Sequence, residues 1–220
     1  MRASQITPLF VLSIILGVLP AGCSQSTIEE KAKTSTPPTE GTTVNKGGTF
    51  AVLETGMGTI EVELYPEDAP KTVANFIGLA EEKYYDGVLF HRVSRGFVIQ
   101  GGDPTGKGSG GKTFSGKPLE DELNPSTPSF QTGYLKGVLA MANKAKPNTG
   151  TSQFFIMLND VPRMPKSYTI FGKVVKGMEV ADAIGQVDIT PAMGPNDGTP
   201  KTPVVIKKVT IRREPAGEKK

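Results

Sequence analysis

The sequence predicts a mainly β protein in the form of a closed eight-stranded antiparallel β-barrel capped by two α-helices. Eight short apolar runs are separated by turns rich in glycine and proline, and only two segments have the apolar spacing of a helix. The 220 residues include 26 glycines and 18 prolines, which favours many turns and short strands. A closed barrel is expected because closure removes the exposed edges that a flat sheet would carry.

The first two predicted strands form a hairpin. An apolar run at 49–53 is followed by a turn at 54–58 and by a run at 59–65 that alternates apolar and polar residues. Strict alternation is typical of a strand with one buried face. The other six predicted strands cover residues 88–93, 97–100, 137–141, 154–158, 168–175 and 204–211.

Two segments predict helices. Pro70 suits the start of the first helix, because its fixed φ matches the first helical position. The apolar residues that follow share one helix face: Val73, Phe76, Ile77 and Ala80. A second, shorter helix is expected over residues 176–184.

The part of the chain before the predicted barrel divides into two segments. Residues 1–22 resemble a secretory signal, since Arg2 precedes an apolar run at 10–19 that is shorter than the roughly 20 residues of a transmembrane helix. Residues 19–23 read Leu-Pro-Ala-Gly-Cys and resemble a bacterial lipobox, in which the cysteine is lipidated. Residues 23–46 are rich in Ser, Thr, Pro, Glu and Lys and predict a disordered tether.

These features predict an exported protein of the bacterial cell envelope, held at a membrane surface by a lipid on Cys23. The alternative is ordinary cleavage near Ala21, which would leave Cys23 as a free thiol. The folded domain is expected over 47–213, with a charged tail at 214–220.

Composition excludes several classes of function. The 25 basic and 22 acidic residues are interspersed, so no basic stripe indicates a nucleic-acid partner. With one cysteine and one histidine, the chain can form no internal disulfide and no His/Cys metal cluster. We therefore expect no metal, no cofactor and no nucleic-acid partner. We also expect a monomer.

The segment at 90–103 reads Phe-His-Arg-Val-Ser-Arg-Gly-Phe-Val-Ile-Gln-Gly-Gly-Asp and places a guanidinium, an aromatic ring and an amide on neighbouring predicted strands. It resembles the central motif of the cyclophilins, which reads Phe-His-Arg, then Gly-Phe, then Gln-Gly-Gly-Asp. Further matches lie at 84–87, 141–143, 152–156 and 171–174, so the resemblance spans residues 49–211.

The resemblance implies peptidyl-prolyl cis-trans isomerase activity on proline-containing polypeptides, with Arg92 as the catalytic residue. Amide resonance gives an Xaa-Pro bond a rotation barrier of roughly 18–20 kcal/mol. At the twisted midpoint the prolyl nitrogen gains a lone pair, so a hydrogen-bond donor aimed at it stabilises the transition state more than either planar state. In an exported protein, this activity would help secreted or envelope proteins past slow proline steps in folding.

Ten further residues match family positions that line the substrate site: His91, Phe97, Val98, Gln100, Ala142, Asn143, Gln153, Phe155, Met164 and Tyr168. By this resemblance the apolar members hold the proline ring, and the two glutamines contact the substrate or orient Arg92. The main chain of Asn143 hydrogen-bonds the peptide, and His91 is a packing and hydrogen-bonding residue without a role in proton transfer.

Two other functions fit parts of the sequence. Residues 106–113 match G-x-x-x-x-G-K-[ST], the phosphate-binding loop of nucleotide hydrolases, but the Phe-Ser-Gly-Lys-Pro that follows is unsuited to the helix this loop requires. A glycine-rich surface loop explains the same residues. The second alternative is a binding module that holds proline-containing peptides with little turnover, against which the intact Arg92, Phe97, Gln100 and Phe155 argue.

Overall fold

The computed structural model describes residues 47–215, which form ten β-strands and three α-helices. The strands are β1 Gly48–Thr55, β2 Gly58–Leu64, β3 Arg92–Ser94, β4 Val98–Gly101, β5 Val138–Met141, β6 Phe154–Met157, β7 Ile170–Lys176, β8 Ile189–Gly194, β9 Asp197–Pro200 and β10 Ile206–Glu214. The helices are α1 Pro70–Glu81, α2 Pro128–Thr132 and α3 Met178–Ile184.

All ten strands belong to one antiparallel sheet, in the order β10-β1-β2-β7-β5-β6-β4-β3-β9-β8. The strands β10 and β8 are the two ends of this order, so the ladder of hydrogen bonds is not closed. The mainly β class is confirmed. The closed eight-stranded barrel is not confirmed, because β8 and β9 extend the sheet beyond β3.

The residues just before β3 lie beside the start of β10 without forming a strand. The Phe90 N–H donates to the Val204 carbonyl (2.9 Å), and the Ile206 N–H donates to the Val88 carbonyl (2.7 Å). The strand predicted at 88–93 is therefore limited to β3. Its first half pairs with other segments of the same chain only at single positions.

Alternate residues of the strands point to the two faces of the sheet. The inner face and α1 form the main apolar core, in which Ile99, Leu139 and Ile156 are fully buried. From α1, Phe76 packs on Tyr85 with ring centroids 5.0 Å apart. Of the predicted apolar face, α1 buries Val73, Phe76 and Ala80, and Ile77 is half-buried against the core.

The N-terminus of α1 is capped by a residue that is distant in sequence. Ala69, at the N-cap, has no side-chain oxygen to accept hydrogen bonds from the first turn. The Glu122 carboxylate accepts from the backbone N–H groups of Lys71 (2.9 Å) and Thr72 (2.8 Å) and from the Thr72 hydroxyl (2.8 Å). Its negative charge also interacts favourably with the helix dipole.

The β8–β9 hairpin and the five-residue helix α2 are not predicted from the sequence. After Ile189 every residue of β8 is exposed, and the strand contains Pro191 and Gly194, so it has no alternating apolar pattern. Backbone pairing holds the hairpin instead, with Val93 of β3 opposite Gly198 of β9.

The predicted signal at 1–22, the tether with Cys23 at 23–46 and the end of the tail at 216–220 lie outside the described residues. Among residues 47–215, no helix is both long enough and apolar enough to span a membrane.

Candidate active site

Four strands place one residue each in a row across the outer face of the sheet, the face opposite the main core. Arg92 on β3 lies opposite Gln100 on β4, Gln100 lies opposite Phe155 on β6, and Phe155 lies opposite Ala140 on β5. Directly opposed residues of paired strands project from the same face. The guanidinium of Arg92 and the ring of Phe155 therefore share this face.

A second apolar cluster covers the same face and is separate from the main core. It contains all six apolar residues predicted to line the site: Phe97, Val98, Ala142, Phe155, Met164 and Tyr168. The ring of Tyr168 meets that of Phe155 edge to face, with centroids 5.4 Å apart and an interplanar angle of 88°. Val98 and Phe155 are buried and the other four are half-buried, so the cluster forms an apolar surface that solvent partly reaches.

A chain of hydrogen bonds runs beside this cluster. Arg92 Nη1 donates to Gln100 Oε1 (3.0 Å), and Gln100 Nε2 donates to Gln153 Oε1 (2.9 Å). Gln153 Nε2 donates in turn to the main-chain carbonyls of Gly108 (3.1 Å) and Gly110 (2.8 Å). The two predicted glutamines thus connect Arg92 to the glycine-rich loop.

Asp197 is a contact of Arg92 that the sequence analysis missed. Arg92 Nε donates to Asp197 Oδ1 (2.9 Å), and Arg92 Nη2 donates to Asp197 Oδ2 (2.7 Å). The two residues are 105 positions apart in the chain and meet only because β9 pairs with β3. The surrounding Gly-Pro-Asn-Asp-Gly has the composition of a turn, so its sequence carries no signal for this contact.

His91 is buried, with 5% of its surface exposed. Among residues 47–215 neither ring nitrogen has a partner in hydrogen-bond geometry, although the Leu89 carbonyl and the Gln153 amide lie close. Burial lowers the pKa of His91, and the nearby Asp103 opposes this effect only in part. The ring is therefore neutral at neutral pH.

Asn143 begins a loop beside the apolar cluster. Its Nδ2 donates to the Ser167 carbonyl (2.8 Å), and its Oδ1 accepts from the Ala145 N–H (3.0 Å). The first bond connects the loop to the chain segment that carries Met164 and Tyr168, and the second lies within the loop. Its own backbone N–H and carbonyl have no hydrogen-bond partner within the described range 47–215.

The loop at 106–113 folds around the carboxylate of Asp103. Asp103 Oδ1 accepts from the Thr105 N–H (2.8 Å), and Oδ2 accepts from the Gly110 N–H (3.0 Å). Burial raises the pKa of Asp103, but these N–H groups outweigh it and hold the pKa below its ordinary value. An ionised carboxylate therefore occupies donors that a phosphate would need, and residues 111–127 contain no helix. Nothing here supports the nucleotide-binding alternative.

Comparison with known proteins identifies the family. A model of the cyclophilin type peptidyl-prolyl cis-trans isomerases (CLD) matches residues 50–211. The chain belongs to the cyclophilin family. This cyclophilin is 46% identical over 166 residues to peptidyl-prolyl cis-trans isomerase-like 1 of Neurospora crassa. The aligned region covers 76% of this chain and 96% of that protein. It is 51% identical over 135 residues to peptidyl-prolyl cis-trans isomerase ppi1 of Schizosaccharomyces pombe, which covers 61% of this chain and 84% of that protein.

A solved structure supports both fold and activity. The cyclophilin type peptidyl-prolyl cis-trans isomerase of Cryptosporidium parvum, determined in the presence of the dipeptide Ala-Pro, has a TM-score of 0.66 and 34% identity to this cyclophilin. The match covers 74% of this chain and 98% of that chain. This cyclophilin is a peptidyl-prolyl cis-trans isomerase, and proline-containing peptides are its substrates.

The same comparison corrects the predicted location. The two relatives are fungal proteins, which contradicts the expectation of an exported protein of the bacterial cell envelope. The lipoprotein form and its lipid on Cys23 are not supported, and Cys23 is not among the described residues.

Proposed function

We propose that the outer face of β3, β4, β5 and β6 is the active site and that Arg92 is the catalytic residue. One observation carries this proposal: the register places Arg92 and Phe155 on the same face, with Gln100 between them. An Xaa-Pro segment that lies on the apolar cluster would bring its prolyl nitrogen within reach of the guanidinium.

The hydrogen bonds of Arg92 leave donors for the substrate. A guanidinium has five N–H donors. Three are directed to Asp197 and Gln100, which leaves two. These donors interact with the lone pair that appears on the prolyl nitrogen as the bond twists. That interaction is weak in either planar state, so it lowers the barrier in both directions.

The apolar cluster would hold the proline ring while the preceding carbonyl rotates. Phe97, Val98, Phe155 and Met164 provide dispersion and desolvation, and Tyr168 forms a wall beside Phe155. With the ring held, the prolyl nitrogen would stay near the Arg92 donors while the bond rotates.

The polar residues around the cluster would bind and orient. The N–H and carbonyl of Asn143 are available to the peptide main chain, with Ala142 beside them. Gln100 and Gln153 would orient Arg92 through their hydrogen bonds. His91 would support the site by packing, because the reaction transfers no proton.

We further propose that residues 47–213 form the isomerase domain and act as a monomer. Its role would be to accelerate slow Xaa-Pro steps in the folding of other polypeptides, since uncatalysed exchange takes tens to hundreds of seconds.

The proposal is tested with Arg92→Ala, using the cis-trans exchange rate of a short Xaa-Pro peptide. Arg213→Ala is the matched control, because Arg213 also pairs with an acid, Glu81, but lies on β10 and is exposed. We expect kcat/KM to fall about 100-fold or more in Arg92→Ala and to stay within about twofold of the original in the control. Equal activity of Arg92→Ala and the unchanged protein would refute the role of Arg92. Peptide binding without catalysis in either protein would indicate a binding module.

A further inference from the structure

Arg92 and Asp197 form a bidentate ion pair at the edge of the proposed active site. Its two hydrogen bonds of 2.9 and 2.7 Å join Nε and Nη2 of the guanidinium to the two carboxylate oxygens. The side chains are only 27% and 16% exposed, so solvent competes weakly for these groups. Bidentate pairs of this kind fix the orientation of both partners.

We propose that Asp197 is a positioning residue for isomerisation, which holds the guanidinium of Arg92 so that its unused N–H groups face the apolar cluster. This inference rests on the catalytic role proposed above for Arg92. Asp197 acts through Arg92 and does not touch the substrate.

The geometry explains why one carboxylate has this effect. Asp197 occupies the side edge of the guanidinium, formed by Nε and Nη2, and Gln100 occupies one donor of Nη1. The two remaining donors belong to Nη1 and Nη2. Without Asp197, Gln100 alone would hold the guanidinium, which could then rotate about its long side chain. A donor that must be directed at one nitrogen loses much of its effect when its direction varies.

Asp197 itself is held in a fixed position. It lies on β9 opposite Ser94, the last residue of β3. Arg95, which follows β3, donates its backbone N–H to the Asn196 carbonyl (2.8 Å). Gly198 allows β8 to approach so closely that a Cβ at this position would overlap the Thr190 carbonyl. The β8–β9 hairpin, which contributes little to the apolar core, thus provides a rigid support for one carboxylate.

Asp197 carries a negative charge near neutral pH. The hydrogen bonds from Arg92 lower the pKa of Asp197 below its ordinary value, although burial opposes them. The carboxylate of Asp197 therefore stays ionised near neutral pH.

The test compares Asp197→Ala, Asp197→Asn and a control, Asp182→Ala. Asp182 is suited to this because it also pairs with a cation, Lys136, but lies on α3 and does not contact Arg92. We expect kcat to fall about tenfold or more in Asp197→Ala, with KM within about twofold, because the lost interaction matters only in the transition state. Asp197→Asn preserves the volume and one acceptor, so its loss should be intermediate. The control should keep its activity.

A double-mutant cycle separates positioning from a general structural role. The lysine of Arg92→Lys cannot form the bidentate ion pair. In that background, Asp197→Ala should therefore lower kcat by less than about threefold. An equal loss in both backgrounds would mean that Asp197 only stabilises the hairpin, and an unchanged kcat in Asp197→Ala would also overturn the inference. If Arg92→Ala keeps full activity, the proposed function fails. If Arg92→Ala is inactive while Asp197→Ala is not, only the positioning role fails.

Discussion

Replacing two adjacent residues of β6 should separate catalysis from stability. Phe155 points to the outer face and belongs to the apolar cluster of the site, whereas Ile156 points into the main core. They are 5% and 0% exposed. The same truncation, to alanine, thus removes apolar contacts from opposite faces of a single strand.

The expected losses of stability are similar. Removing a buried phenylalanine side chain costs about 3–5 kcal/mol, and removing a buried isoleucine side chain costs about 2–5 kcal/mol. We expect about 3 kcal/mol for Phe155→Ala, at the low end, because the partly exposed segment with Met164 and Tyr168 can move into the gap. Ile156 is enclosed on all sides, so its truncation should cost about 4 kcal/mol. For a domain of this size, 3 kcal/mol lowers Tm by about 6–12 °C.

The expected losses of activity differ. Phe155→Ala removes part of the surface that holds the proline ring, and about 2 kcal/mol of lost transition-state binding corresponds to a fall of about 30-fold in kcat/KM. Ile156→Ala should leave kcat/KM within about threefold of the original, because its side chain does not reach the outer face. Stability is measured by urea unfolding, and activity is measured by peptide exchange at 15 °C, where both variants remain folded. Equal losses of activity in the two variants would refute the assignment of the outer face as the active site.

Three further predictions concern features that support the site. Glu122→Ala should destabilise the protein by about 1–2 kcal/mol and speed amide exchange in the first turn of α1, because that turn loses its only carboxylate cap among the described residues; unchanged exchange there would contradict this. Burial lowers the pKa of His91, so the unfolded chain takes up the proton first and stability is lost as pH falls below about 6.5. His91→Gln should therefore lose less stability between pH 7 and pH 5 in urea titrations, and an identical loss would show the reasoning to be wrong. Gly102→Ala should cost at least about 2 kcal/mol, because Gly102 has a φ of +90° and its added Cβ would overlap the Ser152 carbonyl; Gly87→Ala, with a φ of +82° and open space around it, should cost about 1–2 kcal/mol and is the control.

Much of the fold follows from local pattern. The alternation at 59–65 predicts β2, and the apolar spacing after Pro70 predicts α1, because in both cases the buried face repeats with the period of the element. The hairpin of β8 and β9 could not be predicted in this way. Its side chains are mostly exposed, and pairing with β3 is a property of the folded backbone.

The residues of the site likewise include some that the sequence predicts and one that it does not. The resemblance to the cyclophilins indicates Arg92 and the apolar residues, and the structure places them on one face. The contact of Asp197 with Arg92 could not be predicted from the sequence. The two residues are 105 positions apart, and the residues around Asp197 have the composition of a turn. The order and number of strands likewise depend on long-range pairing. The sequence therefore predicts a closed barrel of eight strands, whereas the structure has ten strands in a sheet that is not closed.

The most direct test follows one Xaa-Pro peptide by exchange NMR, which reports both its affinity and its rate of isomerisation while bound. If the guanidinium acts on the twisted bond and the apolar cluster holds the ring, Arg92→Ala should bind the peptide within about twofold of the original affinity but isomerise it about 100-fold more slowly. An unchanged rate in the bound state, or a loss of affinity that accounts for the whole loss of rate, would contradict this account.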